Sequence, residues 1–169
     1  MKAIAFLLSF VCLGFIARAA EADPREFFAF YPEVSAKADG AVPFSYKLAL
    51  ARGKLTGFYG KPAVLTLLEV SELKSGYPEA GTIPYPALFF GFSKEGFKRL
   101  REHVAQARPS RLILVIDGRA YDALRPATVR DVINRHVRLQ LLIPSALDKD
   151  SELKALFNKL RAAKAALKR

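Results

Sequence analysis

His103 and His136 are the two histidines of the sequence, and so its only side chains whose ordinary pKa suits proton transfer near neutral pH. They fall on different expected helices, and neither has a second His or Cys at metal-ligand spacing. His103 flanks the apolar stripe Phe97, Leu100 and Val104, a position that suits a partly buried structural histidine. Asp117 and Asp122 are the pair of carboxylates nearest to an acid–base arrangement. Asp117, however, leads an Asp-Gly pair, and the turn made by Asp117 and Gly118 already accounts for it. Gly53, Gly57 and Gly60 form no dinucleotide fingerprint, because no helix pattern follows them. Ser71, Ser93 and Ser145 lack any nucleophile-elbow context. No enzyme is expected, and no cofactor or metal.

The single cysteine, Cys12, lies in an N-terminal apolar run. Met1-Lys2 gives a positive start, Ala3 to Ile16 is uncharged and apolar, and Ala17-Arg18-Ala19 offers small residues at the two positions a signal peptidase inspects. A spanning helix needs roughly 20 apolar residues, and this run stops at fourteen. Residues 1–19 therefore read as a signal peptide cleaved after Ala19, with a site after Ala22 as the second choice. Export places the remainder in the periplasm or outside the cell. That remainder is cysteine-free, so disulfides, thiolate metal sites and a cysteine nucleophile are excluded together. At roughly 150 residues it has the length of one domain, and its stability must come from an ordinary core.

The formal charge of the whole chain is +11. Residues 21–93 carry seven basic and eight acidic side chains, whereas residues 94–169 carry eighteen basic and eight acidic. A basic half of this kind invites an anionic partner. Export argues against nucleic acid, leaving anionic lipid or an acidic polypeptide or polymer.

The apolar pattern supplies the elements. Residues 20–43 read as an irregular entry carrying an aromatic cluster, Phe27, Phe28, Phe30 and Tyr31, that suits a piece of core. Phe44 to Leu50 alternates as a half-buried strand should, Ala63–Leu68 is a second strand, and Val70–Lys74 suits one helical turn. Residues 76–86, rich in Gly and Pro, form a loop. Ala87–Phe92 has strand length, and Ser93 stands at a helix N-cap, with Glu95 in the first turn. Phe97, Leu100, Val104 and Ala107 then give one helical stripe ended by Pro109. Arg111–Ile116 is a buried strand, Asp117-Gly118 a two-residue hairpin turn, and Arg119–Leu124 the return strand. A short helix from Pro126 to about Arg135 and a strand over Val137–Ile143 follow. The last helix starts near Asp148, with Leu153, Leu156, Phe157, Leu160, Ala163 and Leu167 facing inward. The order describes an α+β fold: a small mixed or antiparallel sheet with helices packed on one face.

In this layout, Leu67-Leu68-Glu69-Val70-Ser71-Glu72-Leu73, Phe92-Ser93-Lys94-Glu95-Gly96 and Arg111 to Arg119 with its Asp-Gly hairpin appear in a telling order. With Val137-Arg138-Leu139-Gln140-Leu141 and the final helix, they resemble the head subdomain of the first periplasmic domain of SecD-type protein-export subunits. The resemblance covers about residues 61–165. Where that family usually has a Ser-Ala-Pro run, this chain has Asp122-Ala123-Leu124-Arg125-Pro126, and no transmembrane helix of the export machine is expected.

The resemblance implies a SecD-head-like domain over residues 61–169, with residues 20–60 as an N-terminal extension. It also implies a binding module rather than a catalyst, because the family's head is thought to contact polypeptide leaving the translocation channel. A protein or peptide partner in the cell envelope, held at an exposed sheet edge, is the leading expectation. The competing one is an anionic membrane surface or polymer held by Lys154, Lys159, Arg161, Lys164 and Lys168 on the last helix.

Overall fold

A computed structural model describes residues 24–47, 53–77, 87–142 and 150–167. The signal segment 1–19, both cleavage sites, most of the 76–86 loop and Lys168 lie outside the described residues.

The aromatic cluster expected to be irregular is strand β1, Phe28–Val34, at the centre of the larger sheet. It pairs antiparallel with β7, Leu112–Ile116, in the register Phe28↔Ile116 to Pro32↔Leu112. Phe28 and Phe30 point into one core, Ala29 and Tyr31 into another. A strand buried on both faces loses the polar–apolar alternation that identifies strands in sequence, which is why the pattern misleads here. Pro32 is tolerated because its missing N–H falls where the flank of β1 passes from one partner to the next. Phe30 O accepts from Val64 N at 2.8 Å just before it, and Pro32 O from Gly60 N at 3.0 Å.

Strands β2 (Val42–Lys47), β3 (Lys54–Tyr59), the two-residue β4 (Leu65–Thr66) and β8 (Arg119–Leu124) complete this sheet. Its order is β2-β3-β1-β7-β8, with β4 beside β1, and every pairing is antiparallel. The sheet curls until β2 packs against β8. Tyr31, Phe44, Ile113 and Val115 fill the concave side, with Ala120 and Ala123 leaving room for the rings. Asp117 and Gly118 turn β7 into β8 with φ of 50° and 71°, the two positive angles that a two-residue turn of this hand requires.

A second, three-stranded sheet runs β5-β6-β9, where β5 is Val70–Gly76, β6 Ala87–Phe92 and β9 Leu139–Leu142. The helical turn expected at Val70–Lys74 instead lies earlier, as a 3-10 turn over Leu67–Glu69, and Val70 already begins the strand. Helices α1 (Lys94–Val104), α2 (Pro126–Arg135) and α3 (Asp150–Ala166) close the main core. Phe28 of the curled sheet meets Phe90 of the small sheet at 4.9 Å between ring centroids, and Phe30 meets Phe92 at 6.1 Å, so two aromatic contacts join the two sheets. The fold is α+β. Among the described residues, no helix is long and apolar enough to cross a membrane.

Candidate interaction surface

The motif Ser93-Lys94-Glu95-Gly96 has a structural task. Ser93 Oγ accepts from Gly96 N at 3.1 Å and caps α1, while Ser93 N donates to Glu69 O at 2.8 Å. Gly96 lets the helix lie against the 3-10 turn, since a Cβ there would sit 3.1 Å from both Glu69 Cβ and Glu69 O. The Glu69 carboxylate is buried and closes the turn, accepting from Thr66 N at 2.7 Å and Thr66 Oγ1 at 2.9 Å. Arg99 of α1 approaches its other oxygen at 3.6 Å. The Thr66-Leu67-Leu68-Glu69 spacing is a capping-box signature, a signal readable from sequence that the strand reading of Ala63–Leu68 passes over.

The two sheet paths end at β2, β8, β5 and β9, with the two-residue β4 beside β1 as a further edge, and tertiary contacts meet β2, β8 and β5. The edges of β2 and β8 meet, and side chains seal the seam instead of a ladder. Ala123 N donates to Asp122 Oδ1 at 2.8 Å, and the Tyr46 hydroxyl joins the same group by bonding to Asp122 and Ala123. Beside them Arg111 and Glu33 form a two-bond ion pair, with Nε to Oε2 at 2.6 Å. The start of the β5 edge is met by α3, whose Lys164 Nζ donates to Val70 O. Backbone groups bonded in this way are not open to pairing with another chain.

Burial at the seam raises the Asp122 carboxyl above its ordinary value of 3.8, although the Ala123 and Tyr46 bonds work against the shift. A raised folded value means the folded state holds its proton more tightly than the unfolded chain does. That contribution is complete below 3.8 and is lost as pH rises through the folded value. Asp122→Asn, which keeps an acceptor for Ala123 N, should therefore raise stability at pH 7 by about 1 kcal/mol. The gain should vanish at acid pH, as urea unfolding at a series of pH values would show.

The fourth path end is β9. Among the described residues it pairs with β6 alone, in the register Phe90↔Leu139 to Ala87↔Leu142. Which of its backbone groups face outward follows from alternation. Ser93 N bonds toward β5, so Phe92, Phe90 and Leu88 turn their backbone groups toward β9. Leu139 and Leu141 oppose Phe90 and Leu88 and face β6, leaving the N–H and C=O of Gln140 and Leu142 directed away from the sheet. Gly91 sits between Glu72 and Arg138, and its missing side chain lets Arg138 NH2 reach Glu72 Oε1 at 3.1 Å. Lys74 first and Arg138 second hold the Glu72 carboxyl below the usual range. This face of the small sheet is therefore charged but paired.

The basic residues expected on the last helix do not act as one group. Lys159 Nζ binds Asp117 Oδ2 at 2.8 Å, and Lys164 is turned to Val70 O. Lys154 and Arg161 stand exposed, with the Arg161 guanidinium 5.8 Å from the centre of the Phe157 ring. His103 is buried with Nε2 2.9 Å from Ser110 O, while His136 ends α2 with φ of 51° against the Phe97 ring. The structure does not bring the two histidines, Asp117 and Asp122 into one group, and no cluster of three or more potential metal ligands occurs among the described residues. An internal cavity of about 10 Å³ is lined by apolar side chains alone, Phe30, Phe92, Leu100, Leu124, Val129, Val132 and Leu139.

No protein-family model matches the chain, and no characterised protein matches it in sequence. Two solved structures resemble it. Both are SecDF. One is SecDF in a super-membrane-facing form, at 20% identity and a TM-score of 0.48, with 78% of this chain and 18% of that chain covered. The other is described as a membrane component that enhances protein export, at 18% identity and a TM-score of 0.49, with 79% of this chain and 61% of that one covered. The chain thus spans less than two thirds of the length of either.

Proposed function

We propose that this protein is a non-catalytic, exported binding module of the cell envelope that captures extended or unfolded polypeptide by adding it as a strand to β9. The observation that carries this reading is the outward set of backbone groups on Gln140 and Leu142, at the end of the β5-β6-β9 path, where β9 pairs with β6 alone among the described residues. Backbone groups are common to all sequences, so such an edge gives affinity that tolerates varied side chains. The resemblance of residues 61–165 to the SecD head supplies the class of partner, a chain emerging during export. The apolar run before Arg18 supplies the compartment.

The test uses a permanently unfolded probe, fluorescein-labelled, reduced and carboxymethylated α-lactalbumin, with binding followed by anisotropy. Gln140→Pro removes one outward N–H without touching the β6–β9 ladder, a position where an edge strand accepts proline. It should weaken binding about tenfold, the worth of one net hydrogen bond plus the lost fit of the added strand. Gln140→Ala should bind within about twofold of the parent, because the side chain takes no part in strand pairing. Binding should also change little up to about 0.5 M salt, where charge attraction is screened. Equal affinity of the proline variant and the parent, with both folded by circular dichroism, would remove β9 as the binding edge.

A further inference from the structure

We infer that the outward ridge of α3 is a peripheral docking surface for an anionic lipid bilayer. The helix has two separate uses for its faces. Leu153, Leu156 and Leu160 are buried in the main core, so its apolar side is committed and cannot enter a membrane. On the opposite side Lys154, Asn158, Arg161 and Ala165 follow at intervals of four, three and four residues, all exposed, and make one straight ridge. Over the eleven steps from Lys154 to Ala165 that ridge runs about 16 Å.

Its charges are available. Neither Lys154 nor Arg161 forms an ion pair among the described residues, whereas Lys159 is held by Asp117. Glu152 lies more than 100° around the helix from the ridge, on the side of Lys159, and its charge is felt by Tyr121 of the hairpin. The exposed neighbours Ala155 and Ala162 are small, so on the described residues of α3 no bulky side chain stands between the two cations and a flat surface on this flank. A convex, straight line of cations without a groove suits a plane of phosphate headgroups. An acidic polypeptide would need a channel for its backbone, and the ridge has none. The basic balance of residues 94–169 adds a field of the same sign.

Binding should therefore be electrostatic and superficial. Protein purified as it accumulates in the expressing cell should sediment with phosphatidylcholine vesicles containing 30% phosphatidylglycerol more than with phosphatidylcholine alone. The difference between the two vesicle types is the readout, so any apolar attachment common to both cancels. The difference should disappear by about 0.5 M salt. Lys154→Gln with Arg161→Gln should reduce the anionic-vesicle partition about 25-fold, fivefold per cation removed. Lys37→Gln with Lys54→Gln removes the same charge from the curled-sheet side and should leave the partition within about twofold. Equal partition to both vesicle types, or equal losses for the two double variants, would overturn the proposal. So would retention by soluble polyglutamate without retention by vesicles, which would make the ridge a site for acidic polymer.

Discussion

Phe90→Ala is expected to lower the unfolding free energy by about 3–5 kcal/mol, enough to move the urea midpoint by more than 1 M at an m-value of roughly 2 kcal/mol/M. Phe90 is fully buried, and its ring meets Phe28 at 4.9 Å across the junction between the two sheets. Removing it opens a void that β1 and β6 cannot close, because each is fixed by a ladder to its own sheet. The residue beside it is the control. Phe89 points to the other face of β6 and is only half-buried, between Lys74 and Gln140 in register, so Phe89→Ala should cost about 1 kcal/mol. If the two substitutions cost the same, the pleat of β6 is wrongly assigned, and with it the outward direction of Gln140.

Glu69→Ala should cost about 2–3 kcal/mol. The loss combines the reciprocal cap on Thr66, the contact to Arg99 and the packing under Gly96. Thr66 N would be left with no acceptor in a partly buried corner. Glu69→Gln, which retains an acceptor but not the charge, should recover about half of the loss. Thermal unfolding of the two variants separates these contributions. Because the corner seats α1, the alanine variant should also raise amide exchange over Lys94–Leu100 before global unfolding. An exchange pattern confined to Leu67–Val70 would show that α1 is held in place without it.

Both results concern residues whose roles the sequence shows unequally. Ser93, Asp117 and Gly118 are legible because cap and turn chemistry is local. A hydroxyl bonds a backbone three residues on, and a positive φ favours Asp-Gly, wherever the chain sits. The stripe Leu153, Leu156, Leu160 is legible for the same reason, since a helix repeats every few residues and must bury one side. Thr66 and Glu69 are local too, and a capping box could have been read there.

What lies beyond local reach is burial on two faces and closure of edges. Phe28 to Tyr31 forms a central strand only because β7 pairs with it and a core lies on each side, partners 80 or so residues away in sequence. The paired cations were likewise invisible. Lys159 and Lys164 share the apparent basic face of α3 with Lys154 and Arg161, and tertiary contacts with Asp117 and the Val70 carbonyl set them apart. By itself the amino-acid order determined helices, turns and an uneven charge, because those depend on neighbours within a few residues. Which strand edge stays open, and which cations stay exposed, was decided by the packing of distant segments.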